Sequence, residues 1–299
     1  MDGRHGESSE AEAIRRRLAV PGTIALRVGP RDVLAFVAGF EAAARAVASA
    51  PEALPKSDRG GRAPLRRVET PAGAVLARPA QKGGLLRRVR GDRFRGPWRP
   101  LVELVLLTRL RALRLPVIEA VGAVIHRHGS SWTGWLLTRE QGGSVDLGAW
   151  LRGASPAEAP PPARIARRAG RAVRELHDAG VRHADLHPKN LLLTADGRVL
   201  VLDLDKAASH DRPLVESARF GNLLRLARAM DKLALQGVRA SPRTMFRFLE
   251  GYAGTRQAAR SWFERLRARR AASRSWQGMW WRLTGQAKPP RSLRGGGVA

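Results

Sequence analysis

The sequence contains no cysteine, and this absence removes several kinds of chemistry at once. Without thiols there are no disulfides, no thiolate metal site and no cysteine nucleophile, and a reducing compartment is favoured. Long apolar runs are also missing, because the best candidate, VLAFVAGFEAAARAVASA at 33–50, is interrupted by Glu41 and Arg45. The first residues, MDGRHGESSEAEAIRRR, are polar and lack the apolar segment of a secretory signal, so we expect none.

Acidic residues are scarce as well, and the formal net charge is +28. Of the 54 lysine and arginine residues only six are lysine. Codon bias in a GC-rich genome can favour arginine over lysine, but it does not explain the excess of cations over anions. A field this positive favours a polyanionic partner, namely nucleic acid, an anionic membrane face or a phosphorylated glycolipid.

The hydrophobic pattern changes along the 299 residues from strands to helices. Residues 11–55 predict a helix near Asp32–Ala50 and some strand. LRRVET and AVLARP then predict a hairpin, followed by a helix from near Pro100 to before Pro116. Two further strands are expected around the Gly-Ser turn at 129–130.

The second half predicts mainly helices, and the change falls near residues 138–150. ARIARRAGRAVRELHDAG has a helical apolar stripe of Ile165, Ala169, Val173 and Leu176, with Gly180 at its C-terminal end. NLLLTADGRVLVLDLD follows as two short apolar runs around a D-G turn, which is typical of a hairpin.

A dense polar segment, HADLHPKN at 183–190, lies between that helix and that hairpin. Phosphoryl transfer needs a carboxylate that positions the acceptor hydroxyl and a Mg²⁺ that neutralises phosphate oxygens. Asp185 and Asn190 offer a carboxylate and an amide oxygen, and the hairpin brings Asp203 back beside Asn190. We expect Asp185 to face the acceptor and Asn190 with Asp203 to hold Mg²⁺. The alternative is a structural loop in which these residues are turn formers.

The spacing of five residues from Asp185 to Asn190 and thirteen more to Asp203 resembles the protein-kinase-like superfamily. The resemblance implies ATP as the phosphate donor and an α+β fold of two lobes. The N-lobe would be a small antiparallel sheet with one helix, and the C-lobe would be larger and mainly helical. The metal loop reads D-L-D rather than D-F-G, so Asp205 is a second metal ligand or, in our preferred interpretation, a salt-bridge partner.

The same resemblance implies boundaries along the chain. We expect a partly helical N-terminal extension at 1–55, an N-lobe at 56–140, a C-lobe at 141–285 and a disordered tail at 286–299. We also expect a monomer.

A kinase-like N-lobe implies a cation on a strand that pairs with a helix glutamate and reaches the nucleotide phosphates. Arg78 in AVLARP and Glu103 in RPLVELVLLTRL occupy those positions. The superfamily pattern has lysine where this chain has Arg78, and Lys82 is an alternative. Glu103 lies in an apolar helix segment, where an unpaired carboxylate is costly, although it could instead face solvent.

The nucleotide-covering loop is indicated only by Gly60 and Gly61 in DRGGRAP, which is not a G-x-G-x-x-G sequence. LLTREQ, at 136–141, has the position of the hinge between the lobes, where backbone groups would meet adenine.

Longer segments resemble the lipopolysaccharide kinase family, and within it most closely the kinases of 3-deoxy-D-manno-octulosonic acid (Kdo). They are AVLARPAQKGGLLRRV, DRFRGPWRPLVELVLLTRLRALRLPV, GWLLTRE, HDAGVRHADLHPKNLLL, VLDLDKA, RFGNLLRLARAMDKL and FLEGY. The resemblance covers about residues 60–252.

This resemblance implies ATP-dependent phosphorylation of a Kdo hydroxyl in the lipopolysaccharide inner core. The protein would act as a cytoplasmic, peripheral protein at the inner membrane, with Kdo–lipid A or a related anionic glycolipid and the anionic membrane surface as partners. RRVRGDRFR at 87–95 is a candidate acceptor or membrane patch, or else a solvated loop. Trp276, Met279, Trp280 and Leu283 have the spacing of an interfacial helix, or of a core helix.

Three other functions stay open. The acceptor could be another small sugar or an aminoglycoside-like molecule. The chain could be a catalytically inactive kinase fold that acts as an envelope scaffold, although Asp185, Asn190 and Asp203 are all present. A nucleic-acid binder fits the charge, but no nucleic-acid motif supports it.

Overall fold

The computed structural model describes residues 3–57, 65–80, 98–238 and 240–284 and has an α+β architecture. Its N-terminal part is built on one six-stranded antiparallel sheet in the order β1-β2-β5-β6-β4-β3. The strands are β1 Ile24–Val28, β2 Asp32–Val37, β3 Arg66–Val68, β4 Val75–Pro79, β5 Ala120–His128 and β6 Ser131–Arg139. The helices with this sheet are α1 Gly3–Leu18, α2 Glu41–Ser49 and α3 Trp98–Ala112, with a 3₁₀ turn at Pro51–Ala53.

The C-terminal part is mainly helical, as the sequence predicted. Its helices are α4 Leu147–Trp150, α5 Pro162–Asp178, α6 Glu216–Leu235, α7 Pro242–Ala253 and α8 Arg256–Thr284. Short strands lie between them: β7 Val145–Asp146, β8 Val181–Arg182, β9 Leu191–Leu193, β10 Val199–Val201 and β11 Ala208–Ser209, with a 3₁₀ turn at Pro188–Asn190. The fold is therefore a two-part, kinase-like α+β fold. None of the helices in the described ranges is both long and apolar enough to cross a membrane.

The sheet is covered by a helix on each face. Successive residues of β2 lie on opposite faces of the sheet. Val33 and Ala35 join the hydrophobic cluster that contains α3, whereas Leu34 and Phe36 join the cluster that contains α2. This alternation places α3, the helix that carries Glu103, directly against one face of the sheet.

Our prediction of a helix beginning near Asp32 was wrong. Asp32–Val37 is strand β2, paired antiparallel with β5 from Asp32↔His126 to Phe36↔Gly122, and the helix begins only at Glu41. The segment DVLAFV is rich in β-branched and aromatic residues, which favour a pleated, buried strand. Gly39, with φ of +87°, makes the turn between strand and helix.

Residues 1–55 are therefore partly helical, as expected, and they also supply two of the six strands. The end of α1 is fastened to α3, because Arg109 Nη2 donates to the Ala19 carbonyl oxygen at 2.6 Å. Arg17 also lies over the Trp98 ring, with its guanidinium carbon 5.0 Å from the ring centroid. The extension and the sheet thus share one packed unit, and the domain boundaries given above remain a prediction.

Helices α5 and α7 cross in close contact because each has a glycine at the crossing. A Cβ atom on Gly170 would lie 1.9 Å from the Phe248 carbonyl oxygen, and one on Gly251 would lie 2.0 Å from the Arg167 carbonyl oxygen. Larger side chains at either position would force the backbones apart. The predicted stripe of α5 is confirmed, since Ile165, Ala169, Val173 and Leu176 are all buried.

The two parts of the fold are joined by hydrogen bonds between main-chain groups. Val201 N in β10 donates to the Pro116 carbonyl oxygen at 2.7 Å, and Ile118 N donates to the Val201 carbonyl oxygen at 3.0 Å. These bonds attach the segment after α3 to the hairpin that ends at Asp203. The strand and helix that carry Arg78 and Glu103 are thereby held over the polar loop of the C-terminal part.

Candidate active site

The polar loop at 183–190 presents the carboxylate of Asp185 to solvent. Its side chain is 62% exposed, and its Oδ2 lies 3.5 Å from His187 Nε2. Its Oδ1 lies 3.9 Å from Arg225 Nη1 on α6. An exposed carboxylate with only loose partners is accessible to a ligand, and the role of Asp185 toward an acceptor hydroxyl stays a prediction.

His183 links the loop of Asp185 to the loop of Asp203. Its Nδ1 accepts from the backbone N–H of Asp185 at 3.1 Å, so its Nε2 carries the proton and donates to the Leu202 carbonyl oxygen at 2.9 Å. Burial lowers the pKa of His183, which keeps the ring in this neutral form. His183 thus has a structural role, because its two hydrogen bonds connect the two loops.

Asn222 on α6 fixes the main chain of His183 from the other side. Its Nδ2 donates to the His183 carbonyl oxygen at 2.7 Å, and its Oδ1 accepts from the His183 N–H at 3.1 Å. The same Oδ1 accepts from His177 Nε2 at 2.9 Å, and His177 Nδ1 accepts from the Tyr252 hydroxyl at 2.9 Å. Burial lowers the pKa of His177 to about 4, so this network is neutral at pH 7.

The residue pattern did not identify Asn222, His177 and Tyr252 as supports of the site. All three lie inside segments that resemble the family, but their contacts join residues 39–75 positions apart. The only available signal was a buried-helix pattern that contained polar residues, and buried polar residues need partners.

The hairpin of β9 and β10 brings the backbone of Asn190 beside the segment that leads into Asp203. Leu202 N, immediately before Asp203, donates to the Asn190 carbonyl oxygen at 2.9 Å. The Asn190 Nδ2 donates to the carbonyl oxygen of Asp185 at 2.9 Å, so the amide oxygen of Asn190 takes no part in that bond. Asp203 has a left-handed φ of +59°, a strained conformation that is tolerated best by Asp, Asn and Gly.

Arg78 lies between two acidic side chains. Its Nη2 donates to both carboxylate oxygens of Glu103 at 2.8 Å, and its Nη1 lies 3.3 Å from Asp203 Oδ1. Glu103 is 3% exposed, so it is not a surface residue. The predicted pairing of the strand cation with the helix carboxylate is therefore present, with Arg78 in the place of lysine.

Glu103 also contacts the backbone of the D-L-D segment at 203–205 directly. Its Oε1 accepts from the Leu204 N–H at 3.0 Å, so a buried carboxylate joins β4, α3 and the D-L-D segment. Burial raises the pKa of Glu103 to about 7, and the charge of Arg78 opposes that rise. The protonation state of Glu103 and the position of the D-L-D segment are thus coupled.

Asp205 forms a salt bridge with Arg99. Arg99 Nη2 lies 2.6 Å from both carboxylate oxygens of Asp205, and Arg99 Nε lies 3.1 Å from Oδ1. The salt bridge of our preferred interpretation is therefore present, with Arg99 donating to both carboxylate oxygens.

Gly60, Gly61, Lys82 and the basic segment 87–95 lie outside the described residues, and their predicted roles remain predictions. LLTREQ at 136–141 comprises the end of β6 and the turn that follows, so it does connect the two parts of the fold. Glu140 there accepts from Arg67 Nε at 2.7 Å.

The residues present fit a Mg²⁺ ion that is also bound to phosphate. Mg²⁺ takes one or two protein oxygen ligands and completes its octahedron with water and phosphate oxygens. Asp203 supplies a carboxylate and Asn190 an amide oxygen, and no donor within the described ranges binds the Asn190 Oδ1. The described residues contain no group of three or more His, Asp or Glu that would form a protein-only metal cage. Such a cage is not what a phosphate-bound Mg²⁺ requires.

The fold and this arrangement define the class of the protein as kinase-like. The lipopolysaccharide kinase (Kdo/WaaP) family matches this chain over residues 60–252. The chain therefore belongs to that family, which is a family of phosphotransferases. The extent expected from the motifs, about residues 60–252, is confirmed.

Three curated relatives carry the name 3-deoxy-D-manno-octulosonic acid kinase. The protein from Vibrio cholerae is 31% identical over 51% of this chain and 63% of its own length. The protein from Xylella fastidiosa strain M23 is 29% identical over 58% of this chain and 68% of its own length. The protein from Stenotrophomonas maltophilia is 30% identical over 58% of this chain and 68% of its own length. The match thus spans about two thirds of these relatives.

Proposed function

We propose that this protein transfers the γ-phosphoryl group of ATP to a hydroxyl of Kdo in the lipopolysaccharide inner core. The observation that carries the proposal is the double contact of His183, which holds the Asp185 loop and the Asp203 loop at fixed positions. In-line phosphoryl transfer depends mainly on such positioning and on charge neutralisation. The family name and the relatives' names supply the acceptor class.

Each residue has one role in this mechanism. Asp185 accepts a hydrogen bond from the acceptor hydroxyl and takes its proton as the new P–O bond forms and the bond to ADP breaks. Asn190 and Asp203 would hold Mg²⁺, which neutralises the charge on the phosphate oxygens. Arg78 stays charged beside Glu103 and contributes a positive charge toward the nucleotide phosphates, with a fork geometry in place of a lysine point charge.

We also propose that the protein works at the cytoplasmic face of the inner membrane as a peripheral protein. Its net charge of +28 supports this, since an anionic leaflet and an acceptor with sugar carboxylate and lipid A phosphates attract a cationic surface. Gly60, Gly61 and Lys82 remain candidates for the nucleotide-covering loop.

The test is transfer of γ-labelled phosphate from Mg·ATP to Kdo–lipid A, with lipid A that lacks Kdo as the control acceptor. We expect label only on the Kdo-bearing acceptor. Asp185→Asn should abolish transfer and retain ATP binding, and Asp211→Asn, at an exposed aspartate, should transfer normally. Equal turnover in Asp185→Asn and wild type would refute the mechanism. ATP use without transfer to Kdo would point to another small sugar acceptor, and absence of ATP binding would point to an inactive scaffold.

A further inference from the structure

Arg225 lies beside the carboxylate of Asp185, which we assign to the acceptor hydroxyl. Asn222 fixes α6 against the main chain of His183, and Arg225 follows three residues later, on the same side of the helix. Its Nη1 lies 3.9 Å from Asp185 Oδ1, and both side chains are more than half exposed. The helix that carries Arg225 is therefore bonded to the loop that carries Asp185.

The contact between Arg225 and Asp185 is too long to engage the guanidinium fully. Arg99, by comparison, lies 2.6 Å from Asp205 and uses its fork on one carboxylate. Among the described residues, Asp185 is the one carboxylate within 4 Å of Arg225. Since a guanidinium has five N–H donors, most of the donors of Arg225 remain for a ligand.

There is also room for a ligand beside Arg225. Gly221 lies one helical turn before it, is exposed, and a Cβ atom built there would meet nothing within 4 Å. The surface next to the fork is thus open on the side of α6.

We propose that Arg225 binds the carboxylate of an acidic sugar acceptor and so aligns one hydroxyl of the same sugar with Asp185. An arginine fork matches a carboxylate with two parallel hydrogen bonds and so fixes its orientation as well as its charge. The loose contact with Asp185 gives way when the acceptor carboxylate arrives. Neutral sugars lack this group and are discriminated against. The inference rests on the proposed function, because it assigns the specificity of that same site.

The test compares two acceptors, namely Kdo–lipid A and the same molecule with the Kdo carboxylate converted to a carboxamide. For Arg225→Ala we expect kcat/KM on the carboxylate acceptor to fall about 10-fold or more, as for loss of a hydrogen-bonded charge pair. The KM for ATP should stay at the wild-type value. On the carboxamide, wild type and Arg225→Ala should be equally slow. Arg225→Lys should recover part of the loss, because it restores the charge without the fork.

Arg228→Ala is the matched control, since it removes an exposed arginine one turn further along α6. It should behave as wild type on both acceptors. An Arg225→Ala loss of the same size on both acceptors would overturn the proposal and indicate a phosphate contact or a general charge effect. An unchanged kcat/KM would overturn it as well.

Binding of free Kdo, measured by calorimetry, separates this inference from the function on which it rests. If wild type transfers no phosphate to Kdo–lipid A, the proposed function fails, yet loss of Kdo binding in Arg225→Ala would still support the carboxylate site. Equal Kdo binding by both proteins, or none by wild type, would refute the site.

Discussion

Arg78 and Glu103 form a forked ion pair in which both carboxylate oxygens lie 2.8 Å from one guanidinium nitrogen. Glu103 is almost fully buried, whereas the side chain of Arg78 is 31% exposed. The pair therefore joins a buried carboxylate on α3 to Arg78 on β4, which also approaches Asp203. Arginine contacts Glu103 through Nη2 and approaches Asp203 through Nη1, whereas lysine would have a single nitrogen for both.

Arg78→Ala should destabilise the protein, because it leaves Glu103 buried without its cation. We expect a loss of roughly 3 kcal/mol in the free energy of unfolding at pH 8, measured by denaturant titration. Burial already raises the pKa of Glu103 to about 7 from its ordinary 4.5. A carboxyl group with a raised pKa contributes stability at low pH, and that contribution is lost as the pH rises. The destabilisation by Arg78→Ala should therefore be smaller at pH 5, where Glu103 is protonated.

The double variant Arg78→Ala/Glu103→Gln is the control for that prediction. It removes the unpaired charge, so it should be more stable than Arg78→Ala at pH 8 and nearly independent of pH in this range. A single variant as stable as wild type at pH 8 would contradict the burial argument.

His177 should make the stability of the protein fall as the pH is lowered below neutrality. Its pKa is about 4 in the fold and ordinarily 6.5, so between these values the unfolded chain binds a proton that the folded chain does not. The free energy of unfolding should fall between pH 6.5 and pH 4 by up to about 3 kcal/mol from this residue. His177→Gln should be less stable at pH 7 but should show a shallower pH dependence. His128→Gln, at an exposed histidine, should keep the wild-type slope.

The crossing of α5 and α7 makes Gly170 intolerant of a larger side chain. Gly170→Ala should lower the free energy of unfolding by about 2 kcal/mol or more, because the new methyl group meets the Phe248 carbonyl oxygen. Gly221→Ala is the matched control within a helix, since its methyl group enters open space. That variant should be neutral or more stable by about 0.5–1 kcal/mol. Equal thermal midpoints for the two variants would show that the helices can separate without cost.

Asp203 and Asp205 should respond differently to substitution. Asp203→Asn should raise the Mg²⁺ concentration needed for half-maximal activity, because the carboxylate is the proposed ligand. Asp205→Asn should lower stability through loss of the Arg99 fork, with the Mg²⁺ dependence close to wild type. If Asp205→Asn shifted the Mg²⁺ dependence as much as Asp203→Asn, Asp205 would have to be a second ligand.

The sequence was most informative where the contacts are local. Asp185, Asn190 and Asp203 lie within one loop and the hairpin that follows it, so their spacing alone predicts their proximity. The partners of Asp205 and His183 required the fold, since Arg99 is 106 residues from Asp205 and Asn222 is 39 residues from His183. Such pairs depend on how a helix packs against a loop that is distant in the sequence, and local spacing does not encode that.

The error near Asp32 has a different cause. The strand DVLAFV and the helix EAAARAVAS follow each other with only a short turn between them, and both are apolar. Read as one segment, they have the length and alanine content of a helix. The β-branched residues at Val33 and Val37 were the local signal for a strand, and pairing with β5 decided the outcome.

The packed structure extends beyond the region that matches the family. The family match begins at residue 60, but β2 covers the edge of β5 and α1 is fastened to α3, both through residues before that point. A chain shortened to the matched region would expose the hydrogen-bonding edge of β5, together with apolar surface previously covered by Val33 and Ala35. Open strand edges pair with other chains. We therefore expect the kinase-like region to self-associate when the first residues are removed.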